Sequence, residues 1–152
     1  VAVAAASTIT ACASVEQNAP PLEIVSVHNV PGRTKQEICG AARDWAAVSF
    51  RDSNAVVQVY DAERGTMISK GKLLLAGAFS TPFDISFTLT VDCKDGKARS
   101  RWDGFAIRWR GIEYPLTEDP LNSMQTKARA AVANIDAGLY ERLKSGAAEA
   151  DF

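Results

Sequence analysis

At 152 residues, with 47% apolar side chains and a formal net charge of −1, the chain carries enough apolar material for one core and no excess of either charge. That balance gives no reason to expect a nucleic-acid partner, whose binding modules usually carry a basic excess. No apolar run reaches the roughly eighteen residues of a membrane-spanning helix.

The amino terminus reads as an address rather than as fold. Val1 to Ala6 is small and apolar, and Ile9-Thr10-Ala11-Cys12 resembles the lipobox closing a bacterial lipoprotein signal peptide. The resemblance implies that residues 1–11 are a residual signal segment and that Cys12 is the lipidated first residue of the mature chain, anchoring it to a membrane. Ala13, rather than an aspartate, behind the cysteine implies the outer membrane, with the domain on the periplasmic side of the bacterial cell envelope. The alternative is an alanine-rich tail with an incidental cysteine. On the first reading residues 12–21 form a tether reaching at most about 30 Å when extended. A single domain at 22–145 follows, then a tail at 146–152.

Leu22 to Val30 is rich in Val and Ile and predicts a strand. Its His28 is the chain's one histidine, with no cysteine pair at ligand spacing, so it reads as an ordinary strand residue and not as a metal ligand. Pro31-Gly32 turns the chain. Thr34 and Glu37 form a capping box, and Ile38, Ala41, Ala42, Trp45 and Ala46 make the apolar stripe of a helix ending near Phe50. Trp45 is the natural anchor of that helix.

Strands follow. Ala55 to Tyr60 is short, Asp61 to Gly65 is a polar turn, and Thr66 to Phe79 is a longer strand whose Gly71 and Gly77 mark bends or close approaches. Phe83 to Cys93 alternates without a miss: Phe83, Ile85, Phe87, Leu89, Val91 and Cys93 face one side, polar residues the other. Asp95-Gly96 predicts a type I′ turn returning as Lys97 to Trp109. This register sets Lys94 opposite Lys97, Val91 opposite Ser100, Leu89 opposite Trp102 and Phe87 opposite Gly104. Asp92 then pairs across the strands with Arg99. Continued without a break, the same parity puts Phe105, Ile107 and Trp109 on the polar face. A bulge at Asp103-Gly104 would turn all three inward; otherwise they form an exposed strip for a protein partner or lipid. The bulge is the preferred reading.

Asp119 as cap, Pro120 at the first helical position and Gly146 as stop frame a second helix, with Leu121, Met124, Ala128, Val132, Ile135, Leu139 and Leu143 as its stripe. At about 25 residues it spans roughly 38 Å. Its mixed charge favours packing on the sheet over lying on a membrane.

The order is thus β-α-β-β-β-β-α: an α+β fold in which a curled antiparallel sheet carries two helices on one face. The run Val30-Pro31-Gly32-Arg33-Thr34-Lys35-Gln36-Glu37-Ile38, then Trp45, the turn Asp61 to Gly65 with Ile68-Ser69-Lys70-Gly71 behind it, and Phe87 to Asp92 ahead of Lys94-Asp95-Gly96-Lys97 resemble an uncharacterised bacterial family. That family is a domain of unknown function with a TATA-binding-protein-like fold. The resemblance covers about Leu22 to Leu143 and rests on turns and core positions. It implies the fold and an envelope setting, and no DNA binding.

With Cys12 lipidated, Cys39 and Cys93 remain as an even pair in a compartment that permits disulfides. A bridge between them would close a loop of about 55 residues, worth on the order of 4 kcal/mol in the chain-entropy model. Two separate buried thiols are the equal alternative. The sequence holds no Gly-x-Ser-x-Gly elbow, phosphate loop, paired histidines or Cys-x-x-Cys, so neither catalytic residues nor a cofactor nor a metal is expected. Two readings stand: a lipid-anchored, non-catalytic envelope module that binds or assembles with another envelope protein, or a small binder of hydrophobic ligands of helix-grip type. The second needs an internal pocket of about 300 Å³ or more.

Overall fold

The first helix starts where its capping box demands. In the computed structural model, which describes residues 19–50, 56–76, 82–119 and 121–146, the Thr34 hydroxyl accepts the Glu37 amide and the Glu37 carboxylate accepts the Thr34 amide. Helix α1 (Lys35–Ser49) follows, burying Ile38, Cys39, Ala41, Ala42, Trp45 and Ala46. The segment carrying Cys12 lies outside the described residues, as do Gly77 and Pro120.

Six strands form one antiparallel sheet: β1 (Ile24–Asn29), β2 (Val56–Asp61), β3 (Thr66–Ala76), β4 (Pro82–Lys94), β5 (Lys97–Trp109) and β6 (Ile112–Pro115). Their order is β1-β5-β4-β3-β2, with β6 also on β5. The hairpin pairs as the alternation requires: Lys94 with Lys97, Val91 with Ser100, Leu89 with Trp102, and Asp92 with Arg99, whose guanidinium reaches the carboxylate at 2.7 Å. Two details differ. Asp95 does not adopt the positive φ that a type I′ turn requires, and only Gly96 is left-handed, at 75°. Tertiary bonds hold this turn instead, because Asp95 Oδ1 accepts the Lys35 amide at 2.7 Å and the Gly96 amide donates to the Arg33 carbonyl at 2.8 Å. The extra strand β6 arises at Arg110-Gly111, both left-handed (φ 50° and 80°), which is the conformation of a tight two-residue hairpin loop.

The bulge lies at Gly104. Thr88 pairs with Asp103 and Ser86 with Ala106, so Phe87 faces both Gly104 and Phe105. Gly104 takes φ 62°, the left-handed geometry of a glycine-led bulge. Parity flips behind it, leaving Phe105 at 3% exposure and Ile107 packed against the core.

Helix α2 (Ser123–Ser145) begins later than Asp119 would place it. Asn122 is the cap, accepting the Met124 amide at 3.0 Å, while Asp119 accepts the Leu121 amide in the preceding turn. Leu121 therefore sits outside the stripe, 92% exposed. Both helices cover the face bearing Leu89, Cys93 and Trp102: α1 is joined to Cys93 through Cys39, and α2 reaches Trp102 through Asp136. At the centre Phe50, Phe87 and Trp102 contact one another with ring centroids 5.1 to 6.4 Å apart.

Candidate functional site

Helix α2 carries a charge on the side that meets the sheet. Asp136 stands four residues after Val132 and three before Leu139, on the buried column, and is 6% exposed. Its Oδ1 accepts the Ser100 hydroxyl at 2.7 Å and the Trp102 indole N–H at 3.1 Å, and its Oδ2 lies 3.0 Å from His28 Nε2. A carboxylate only accepts, so the proton sits on Nε2. The His28 ring stacks on Tyr140, centroids 5.1 Å apart. Burial pushes the Asp136 carboxyl up, but hydrogen bonds from His28, Ser100 and Trp102, with the charge of His28, outweigh it and hold the carboxyl below its ordinary value.

This grouping of serine, histidine and aspartate is not a hydrolytic triad. In a triad the histidine takes the serine proton on one nitrogen and is held by the carboxylate on the other. Here Nε2 and the Ser100 hydroxyl both give their protons to Asp136, and Ser100 is fully buried. The cluster fastens α2 to β1 and β5. The reading of His28 as an ordinary strand residue missed this role. Among the described residues no group of three or more His, Cys, Asp or Glu side chains is placed to hold a metal ion.

An open cleft of about 760 Å³ lies where α1 and α2 meet the β3–β4 end of the sheet. Trp45, Phe50, Leu73 and Ile135 give it apolar walls, and Lys72, Asp84 and Asn134 give it groups of both charges and an amide. Gly138 on α2 faces Trp45 of α1, with room for a methyl group, since a Cβ there would lie 3.7 Å from Trp45 Nε1, an ordinary contact. Trp45 thus packs between helices as well as on the sheet. Sequence reading did not find this cleft, because its walls come from four separate elements.

The residues singled out in the sequence are only partly brought together. Cys39 and Cys93 are bonded, with Cα atoms 5.8 Å apart, well inside the range for a disulfide. Phe105, Ile107 and Trp109 do not form one exposed strip, since the bulge buries Phe105. Trp109 alone stays open, 44% exposed and leaning on Phe83 at 5.4 Å. It gains new neighbours instead. In the β5–β6 pairing Trp109 is opposite Ile112 and Ile107 opposite Tyr114, which places all four on one face. Ile112 and Tyr114 are 56% and 48% exposed. Among the described residues no helix is long and apolar enough to cross a membrane.

A family described as a domain of unknown function (DUF4468) with TBP-like fold matches residues 26–107. The fold is similar to that of a crystallised TBP-like protein from Parabacteroides distasonis ATCC 8503, at a TM-score of 0.68 and 13% identity over 83% of this chain and 94% of that one. It is also similar to a DUF4468 family protein from Bacteroides ovatus ATCC 8483, at 0.66 and 13% identity over 79% and 86%. At that identity the two structures show the shared fold and nothing about ligands. No curated protein matches the chain.

Proposed function

We propose, from the premise that the chain belongs to the DUF4468 family of TBP-like domains, that it is a non-catalytic binding module of the bacterial cell envelope, anchored on the periplasmic side of the outer membrane by lipid on Cys12. The cleft between α1, α2 and the sheet carries this reading. It is open rather than enclosed, and its apolar walls are interrupted by Lys72, Asp84 and Asn134. An extended segment of an envelope protein fits such a surface: an apolar side chain rests between Trp45 and Ile135, and its backbone amides and carbonyls meet Asn134 and the two charges. The non-catalytic reading is supported by the His28–Asp136 cluster, which uses its hydrogen bonds internally beneath α2. The Cys39–Cys93 bridge favours an oxidising compartment.

The volume of the cleft also supports the second reading, a small hydrophobic ligand, because about 760 Å³ exceeds the roughly 300 Å³ such a ligand needs. A pocket that closes over a ligand, however, buries most of its surface, and this one is open to solvent.

Selection from a displayed peptide library separates the two. Peptides enriched for one apolar anchor, captured by the wild type and by Val27→Trp on the opposite face but lost on Gly138→Trp, support the proposal. Failure to enrich such peptides, with an apolar small molecule retained through purification and lost on the same variant, sinks it. The address is tested separately by the intact mass of protein from its host's membranes: an unlipidated amino terminus rejects the anchor.

A further inference from the structure

The tip of the β5–β6 hairpin is built like a contact for a bilayer surface. Trp109, Ile112 and Tyr114 share one face of a two-stranded ribbon, all about half exposed, on the helix-bearing side of the sheet beyond the helices. Arg110 sits at the turn with its guanidinium 5.7 Å from the centre of the Trp109 ring, and among the described residues no carboxylate lies within ion-pair distance of it. Arg108 and Glu113 are opposite each other on the other face, 3.9 Å apart, and offset one another. The tip therefore offers an indole, a phenol, one branched aliphatic chain and one unbalanced cation. Tryptophan and tyrosine at the level of lipid headgroups, with an arginine for anionic phosphates, are the side chains that membrane interfaces favour.

The path of the chain says why a bilayer rather than another surface is the occupant. The Leu22 amide donates to the Leu116 carbonyl at 3.0 Å, the Glu118 amide donates to the Pro20 carbonyl at 2.9 Å, and Pro21 bridges to Thr117. The chain thus joins the fold immediately beside the end of β6. From Pro115 back to Ile112 is about 10 Å along the strand. The eight Cα–Cα steps from Cys12 to Pro20 span at most about 28 Å. We infer that the hairpin tip, Trp109 to Tyr114, is the surface by which the anchored domain rests on an anionic membrane, an inference that builds on Cys12 as the point of attachment. A weak contact suffices there, because a short tether turns it into an intramolecular event at high effective concentration.

The test does not depend on natural lipidation. Of the three cysteines, two are bridged, so Cys12 of the full chain is the thiol available for coupling to a maleimide-headgroup phospholipid in vesicles. Trp45 and Trp102 are 9% and 0% exposed, which leaves Trp109 as the reporter to acrylamide. On vesicles of phosphatidylethanolamine and phosphatidylglycerol, acrylamide quenching should fall by about threefold and brominated acyl chains should quench the same ring. Arg110→Glu should restore acrylamide quenching, and Val27→Asp on the opposite face should leave the protection in place. Quenching by acrylamide unchanged on coupling, with no effect of brominated lipid, overturns the inference and returns the hairpin to a protein partner. Protection equal on pure phosphatidylcholine and unaffected by Arg110→Glu overturns the anionic preference. None of these outcomes bears on whether the host lipidates Cys12, which the intact mass decides.

Discussion

Replacing Asp136 should be among the most damaging single changes in the domain, and the size of the loss can be built from its partners. Asp136→Ala removes the acceptor of the Ser100 hydroxyl and the Trp102 indole, both fully buried, and the partner of His28 at 3.0 Å. An orphaned buried donor costs about 1–3 kcal/mol, and breaking a buried charged pair from one side costs about 3–5 kcal/mol. Two orphaned donors together come to about 2–6 kcal/mol, which overlaps the charged-pair figure at about 3–5 kcal/mol, against a total stability of about 5–15 kcal/mol. Asp136→Asn keeps an acceptor oxygen and the shape, and should lose about half as much. Urea denaturation followed by circular dichroism measures both. The acid limb supplies a second readout. The unfolded carboxyl titrates near its ordinary 3.8 and the folded one lower, so between those values the unfolded chain binds more protons and stability rises with pH. The contribution of Asp136 is therefore complete above pH of about 5 and is lost as pH falls through the folded value. Asp136→Asn should remove that segment of the pH profile. Loss below about 0.5 kcal/mol in the alanine variant, which is the ordinary spread of surface changes, together with an unaltered acid limb, refutes the reasoning.

Other positions give sharp expectations. Gly65 takes φ 75°, and a side chain there would overlap the Cys93 carbonyl oxygen, so Gly65→Ala should cost at least ~2 kcal/mol in the same denaturation assay. Gly138→Ala is the opposite case: its added methyl meets Trp45 Nε1 at 3.7 Å, ordinary contact, within a helix interior, and should raise stability by about 0.5–1 kcal/mol. Reducing the Cys39–Cys93 bridge, 54 residues apart, should lower stability by up to about 4 kcal/mol, read as a shift of the urea midpoint with and without reductant.

Local rules reached far into this fold and stopped where partners are distant. The capping box at Thr34, the pairing of Leu89 with Trp102 and the bulge at Gly104 are encoded within a few residues or by strict period-two alternation, so they were legible. The β6 strand was not, because Arg110 in a left-handed turn has none of the usual asparagine or aspartate signal. The cap of α2 was misplaced because Asp119 and Asn122 both offer an oxygen, and the turn closed by the Asn122 amide on the Asp119 carbonyl picks the second. Asp136 reads as a solvent-facing charge when taken alone. A signal for it did exist: the strand parities send Ser100 and the Trp102 indole inward, and two buried donors require an acceptor on whatever covers them. Asp136 falls on the apolar column of α2, where such an acceptor has to be. The cleft had no comparable signal, since its walls meet only in the folded chain.

The bridge between Cys39 and Cys93 also sets how the domain responds to force. It encloses α1 from its fifth residue onward and the whole of β2 and β3, together with β4 as far as its penultimate residue. A pull transmitted along the chain bypasses everything between the two sulfurs, and the fully extended length falls by about 180 Å relative to an unbridged chain. Under tension the domain yields only at its flanks, through β1 on one side and β5, β6 and α2 on the other, while the central strands stay gathered in a closed ring.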